Sequence, residues 1–140
     1  MENELKVALA QVAPIWLDKK ATLEKAKVIL TEASQNGAEL VVFGEAFLPG
    51  YPFWLAHTNG AAWDLKVNKE LHAHYVRNSV QIETGELEDL CQLAKEKKLA
   101  VYLGMMERAQ DRGGHSLYCS LVYIDAQGKI QSVHRKLQPT

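Results

Sequence analysis

Ala38-Glu39-Leu40-Val41-Val42-Phe43, just ahead of Gly44-Glu45, is a short apolar run, broken only at Glu39 and rich in β-branched residues. It is too short for a helix and reads as a strand buried on both faces, the kind found in a parallel sheet covered by helices. Upstream, residues 5–12 (Leu-Lys-Val-Ala-Leu-Ala-Gln-Val), closed by Pro14, read as a buried first strand. Between the two, Asp18 caps a helix on which Leu23, Ala26, Leu30 and Ala33 recur at helical spacing and Val28 and Ile29 widen the stripe. Gly37 supplies the left-handed stop. Strand, helix and strand in that order make a parallel crossover, and Glu45 then stands just past the carboxyl end of the second strand, where open parallel sheets place their ligand sites.

Downstream, Pro49-Gly50-Tyr51-Pro52 forces a loop, and Phe53, Trp54 and Leu55 make it unusually apolar. A helix is expected around residues 61–80 and another over 87–97, with Leu87, Leu90 and Ala94 on one side and Thr84 as its cap. Residues 99–106 return to strand, 117–124 form the next, and Asp125-Ala126-Gln127-Gly128 turns the chain into a strand over 129–137. The last three strands can join as a meander, so the order is that of an α/β layer architecture with helices packed on a sheet. Leu137-Gln138-Pro139-Thr140 follows a strand with neither a helix nor a polar tail, which reads as a cut through a larger domain.

The 140 residues suit one domain, able to bury roughly 70% of the surface of its unfolded chain if it closes on itself. A hydrophobic fraction of 47% and a charged fraction of 24% are those of an ordinary globule, and no apolar run approaches the roughly 20 residues of a membrane span. No basic region followed by an apolar core opens the sequence, so a cytoplasmic location is expected. Sixteen basic and seventeen acidic residues are interspersed, which gives nucleic acid no support as a partner. Two cysteines, Cys91 and Cys119, are too few for a disulfide framework and fit a reducing compartment.

Glu45 has the position of a general base, and its neighbours Phe43, Phe47 and Leu48 are expected to desolvate it and raise its pKa. An isolated glutamate after a strand also reads as a solvated or capping residue. Lys136 closes the alternating stretch Ile130-Gln131-Ser132-Val133-His134-Arg135. It reads either as a lysine on a solvated strand edge or as a fixed ammonium that stabilises negative charge in a transition state, with His134 and Arg135 in support. Cys91 falls in an amphipathic helix among Leu90, Leu93 and Ala94, and Cys119 lies mid-strand without the sharp turn that exposes a nucleophile, so both read as structural thiols. His72 and His74, two residues apart, place their rings on different helix faces, which argues against zinc. Gly113-Gly114 reads as a hairpin loop, and Tyr51, Trp54 and Trp63 as core or pocket aromatics.

Three motifs in order, Lys6-Val7-Ala8-Leu9-Ala10-Gln11-Val12-Ala13-Pro14, the strand ending at Glu45, and His134-Arg135-Lys136-Leu137, resemble the N-terminal half of the nitrilase superfamily of carbon–nitrogen hydrolases. Phe47-Leu48-Pro49-Gly50-Tyr51-Pro52 and the ending Lys136-Leu137-Gln138-Pro139-Thr140 look more like its nitrilase branch than its amidase or carbamoylase branches. The resemblance implies a four-layer α-β-β-α sandwich of which residues 1–140 are a truncated portion, and a Glu-Lys-Cys triad in which Glu45 is the base and Lys136 stabilises tetrahedral intermediates. It implies a nitrile or amide as substrate, no metal or organic cofactor, and association into homo-oligomers or with a missing C-terminal half. The family's nucleophilic cysteine lies on a later strand, and a second glutamate that usually follows the lysine motif is missing too. The chain alone is therefore expected to be inactive, as two-thirds of a hydrolytic site or as a non-catalytic assembly module.

Overall fold

The computed structural model describes residues 4–60, 62 and 64–138. Its elements are β1 (Val7–Ala10), α1 (Lys19–Gln35), β2 (Leu40–Phe43), α2 (Trp54–His57), α3 (Lys66–Asn78), α4 (Glu88–Lys97), β3 (Ala100–Arg108), β4 (Leu117–Ile124) and β5 (Ile130–Arg135). The five strands form one sheet in sequence order, with β1, β2 and β3 parallel and β3, β4 and β5 an antiparallel meander. Crossover and meander are both as the sequence implies.

Helix α1 begins where expected, the Asp18 carboxylate accepting the Ala21 amide proton at 2.9 Å, and Gly37 beyond its end has φ of 77°. Its inward stripe is Thr22, Ala26, Leu30 and Ala33, whereas Val28 is 66% exposed and takes no part in it. Helix α4 does not use Thr84 as a cap; that hydroxyl donates to the Gln81 carbonyl inside a preceding 3₁₀ turn, and Leu87 stands at the N-cap without a side-chain bond. The helix expected over 61–80 is shorter: α3 starts at Lys66, and part of the apolar loop before it coils into α2. Ala61 and Trp63 lie outside the described residues.

One face of the sheet packs under α1 and α4 and forms the main core, with Val41, Phe43, Val101, Leu103, Met105, Val122 and Ile124 all buried. The opposite face, in the registers Leu9↔Val42, Val42↔Tyr102 and Tyr102↔Tyr123, has no helix over it among the described residues; α2 and α3 reach that face only at the end of β3 and the start of β4, where Met106 and Leu117 pack against Trp54 and Tyr75. Strands β1 and β2 are therefore covered on one face only, contrary to the expectation of two-sided burial. Leu9 is 77% exposed at the sheet edge, and Leu40 and Val42 are only half-buried. An apolar sheet face without a cover is what a single layer of an α-β-β-α sandwich presents.

Candidate active site

At the carboxyl end of β2 the chain turns through Gly44 and Glu45 and is stitched to β3 on the way out. Leu48 donates its amide proton to the Gly104 carbonyl at 3.2 Å, and its own carbonyl accepts from the Met106 amide at 2.8 Å. Gly104 permits this approach: a Cβ there would lie 2.1 Å from the Gly44 carbonyl oxygen and 2.9 Å from the Glu45 Cα. The turn thus lies flat against β3, and Phe43, Phe47 and Leu48 point into the core while Glu45 is left on the uncovered side.

Lys136 arrives from the other edge of the meander. Beyond the last paired residues of β5, Arg135↔Ser120 and His134↔Leu121, the Lys136 amide donates to the Cys119 carbonyl at 2.8 Å. Side chains alternate along an extended segment, so Arg135 lies on the covered side and His134 and Lys136 on the open one. Ninety-one residues apart in sequence, Lys136 Nζ donates to Glu45 Oε1 at 2.7 Å. The Cys119 thiol donates to the same Oε1 at 3.3 Å. These three side chains border a cavity of about 490 Å³ that His134, Leu121 and Leu137 also line. Glu45 separates it from a second cavity bordered by Gln11, Pro14, Tyr51 and Phe53.

The electrostatics follow from those contacts. The hydrogen bond from Lys136, then that from Cys119, hold the Glu45 carboxyl below its ordinary range, against a smaller opposing effect of burial. The side chain is 53% exposed, so the expected rise in pKa through desolvation by Phe43, Phe47 and Leu48 is not seen; those rings and that leucine face the opposite side of the turn, and what burial remains is outweighed by the two donors. Lys136 is held above its ordinary value, chiefly by its bond to Glu45, so both partners favour the charged pair. Burial raises the Cys119 thiol and the neighbouring carboxylate raises it further, keeping it protonated and donating.

Behind the lysine, on the covered side, stands a cluster that sequence reasoning missed. Glu107 is 4% exposed and accepts two bonds from Arg135, 2.9 Å from Nε and 2.8 Å from Nη2, and one of 2.6 Å from the Ser120 hydroxyl. Arg135 also reaches Asp111 at 3.3 Å and lies 4.1 Å over the Tyr118 ring. Burial pushes the Glu107 carboxyl up, and the bonds from Arg135 and Ser120 overcome it, leaving it below its usual range. The signal was a lone carboxylate at the end of an apolar strand, but the strand expected over 99–106 stopped one residue short of it. Arg135 therefore clamps the end of β5 to β3 and sets the platform from which Lys136 projects.

Cys91 is half-buried on α4, as expected of a structural thiol. Among the described residues no group of three or more His, Cys, Asp or Glu side chains could hold a metal ion; His74 instead bonds the Leu17 carbonyl at 3.0 Å. No helix among the described residues is long and apolar enough to cross a membrane.

A carboxylate, an ammonium and a thiol at the carboxyl edge of a half-parallel sheet can be compared with known proteins. The sequence profile of the carbon-nitrogen hydrolases matches residues 6–140. The chain belongs to the carbon-nitrogen hydrolase family. Within it, the chain is 39% identical to nitrilase 2 of an unknown prokaryotic organism over 99% of its own length and 42% of that protein. It is likewise 39% identical to an arylacetonitrilase of Hypocrea virens, over 99% of this chain and 39% of that one. This carbon-nitrogen hydrolase chain thus spans about two-fifths of the length of the curated relatives it matches. Solved structures of an amidase from Nesterenkonia sp. (TM-score 0.62, 19% identity, 96% of this chain and 43% of that one) and of the C. elegans NitFhit protein (TM-score 0.64, 16% identity, 96% and 27%) share its fold.

Proposed function

We propose that the chain provides the base and the lysine of a nitrile-hydrolysing site, with Glu45 and Lys136 in those roles and the nucleophilic cysteine contributed from outside these 140 residues. The observation that carries this reading is the 2.7 Å bond between Lys136 Nζ and Glu45 Oε1, formed at the carboxyl edge of the sheet by two elements 91 residues apart. A solvated strand-edge lysine has no reason to converge on the one carboxylate that follows β2. The names of the relatives at 36–40% identity, nitrilase and arylacetonitrilase, support a nitrile over an amide. One neighbouring amidase structure records acrylamide added at an active-site cysteine, which supports thiol chemistry for this fold.

In the proposed reaction the cysteine sulfur bonds to the nitrile carbon while Glu45 takes the thiol proton and the nitrile nitrogen gains a proton, giving a thioimidate. Water adds, the carbon–nitrogen bond breaks with release of ammonia, and a thioester remains. A second water releases the carboxylic acid and returns the proton to sulfur. Lys136 stabilises the negative charge that develops at the substrate in each tetrahedral state. No metal or organic cofactor enters. A carboxylate held below its usual pKa is charged and ready to accept at neutral pH, though intrinsically a weak base, so the transfer depends on that stabilisation by the lysine.

The exposed apolar face supports association, either with a second copy or with the remainder of a larger domain, since Leu9 and Leu137 are 77% and 90% exposed. The test is ammonia release from phenylacetonitrile. The 140-residue chain gives none above buffer, whereas the chain extended by the reading frame that follows Thr140 gives release that Glu45→Gln and Lys136→Ala each abolish. Release by the short chain that survives Cys91→Ala and Cys119→Ala, or an extended chain indifferent to Glu45→Gln, would overturn the proposal.

A further inference from the structure

In the cavity beside Glu45 the carboxylate makes a second contact, to a thiol, that the proposed reaction does not use. Cys119 Sγ lies 3.3 Å from Glu45 Oε1, the same oxygen that Lys136 holds at 2.7 Å. Among the described residues Oε2 receives no hydrogen bond. We infer that Cys119 is a positioning residue for Glu45: with Lys136 it loads one carboxylate oxygen with two donors and leaves the other to take a proton. The inference rests on the reading of Glu45 as the base, and adds to it a residue that fixes which oxygen acts.

Three features favour positioning over attack. Cys119 sits in the middle of a paired strand, opposite Met106 on β3. Its carbonyl accepts the Lys136 amide at 2.8 Å, so its backbone is committed to placing the lysine as its thiol is committed to the carboxylate. A nucleophile needs freedom to leave its hydrogen bond and follow the carbon it attacks, and a residue pinned in a sheet with its carbonyl also bonded has little. Cys119→Ala, which removes the thiol, would leave Oε1 with one donor and the carboxylate free to rotate about its last torsion, which has broad, nearly two-fold preferences.

Charged and titratable groups around the thiol are few and have distinct signs. Glu45 raises its pKa and Lys136 lowers it, Tyr75 and Tyr51 lie within electrostatic reach of the cluster, and His134 lines the same cavity. The two substitutions that remove Glu45 and Lys136 must therefore move thiol reactivity in opposite directions. In a Cys91→Ala background, iodoacetamide alkylation of the 140-residue chain at pH 8 reads Cys119 alone. Glu45→Gln removes the negative charge and accelerates alkylation by about three- to tenfold, and Lys136→Met slows it by a similar factor.

A second readout separates positioning from bulk packing. With the glutamates carbon-13 labelled, NMR titration of the Glu45 carboxyl shows a higher pKa in Cys119→Ala, which loses a donor, and a wild-type or lower one in Cys119→Ser, which keeps it. An unmoved Glu45 titration in Cys119→Ala would leave Cys119 a packing residue and overturn the inference. So would an alkylation rate that Glu45→Gln leaves unchanged, or a mass adduct of phenylacetonitrile on Cys119, which would make the thiol a nucleophile. If Glu45→Gln acts and Lys136→Met does not, the Cys119–Glu45 contact stands, while the Glu45–Lys136 pairing behind the proposed reaction fails.

Discussion

Replacing Arg135 by methionine is the sharpest test of how the fold holds Lys136, because Arg135 pairs with a carboxylate almost wholly removed from water. Glu107 has a side-chain exposure of 5% and Arg135 one of 34%. Removing one partner of a fully buried ion pair costs about 3–5 kcal/mol, most of it the penalty of stranding the other charge. Solvent at the exposed side of the guanidinium lowers that to about 2–3 kcal/mol for Arg135→Met. Adding Glu107→Gln to Arg135→Met makes the loss smaller, since the amide can still accept from Ser120 and no charge stays buried.

The pH dependence changes sign, which makes the reasoning easy to refute. In the wild type, Glu107 is held below its unfolded value of about 4.3, so its contribution is fully present above that value and is lost as pH falls through the folded pKa. In Arg135→Met, burial acts without its main opponent and raises the folded pKa above the unfolded one. The contribution is then fully present below the unfolded value and lost as pH rises through the raised one. Urea unfolding at pH 7 and pH 5 therefore finds the Arg135→Met deficit smaller at pH 5. A deficit under about 0.5 kcal/mol at pH 7, or one that grows on acidification, would show that the clamp does not carry the energy assigned to it.

Gly104→Ala drives a Cβ into the Gly44 carbonyl at 2.1 Å, and because the obstacle is backbone the turn carrying Glu45 must lift from β3. A loss of about 1–3 kcal/mol in urea unfolding is expected, with the Glu45 carboxyl titrating closer to its ordinary value; an undiminished midpoint counts against the close approach. Tyr75→Phe removes the buried hydroxyl that donates to the Gly50 carbonyl at 3.0 Å and is expected to cost about 1 kcal/mol, and a variant as stable as wild type would show that this carbonyl finds another donor.

Hydrophobic period and turn chemistry carried the topology. The 3.6-residue stripe of α1, the cap at Asp18, the left-handed Gly37 and the turn at Asp125 are local signals, and the crossover and meander follow from them. Legibility failed where the answer depended on which face is covered. The apolar run 38–43 does not say whether helices lie on one side or two, and the error passed to Glu45, whose apolar neighbours in sequence turned out to face the other way. Periodicity makes Cys119 a mid-strand residue and hence a structural thiol, and it is mid-strand. That its thiol meets Glu45 depends on the pairing of β3 with β4 and on the turn after β2 crossing β3 at Gly104, both long-range facts.

The uncovered face also bears on the chemistry. Glu45 owes its low pKa to two donors acting while much of the side chain is still hydrated, with burial only a minor opponent. A second sheet packed over Tyr102, Tyr123 and Leu121 would remove that water without touching either donor, because Lys136 and Cys119 come from the same sheet as Glu45. Desolvation raises a carboxylate's pKa and strengthens the bonds to its partners together. The same three side chains would then make a stronger base held in the same orientation. On the proposed reading, the 140 residues set the geometry of proton transfer, while its driving force depends on the layer that covers them.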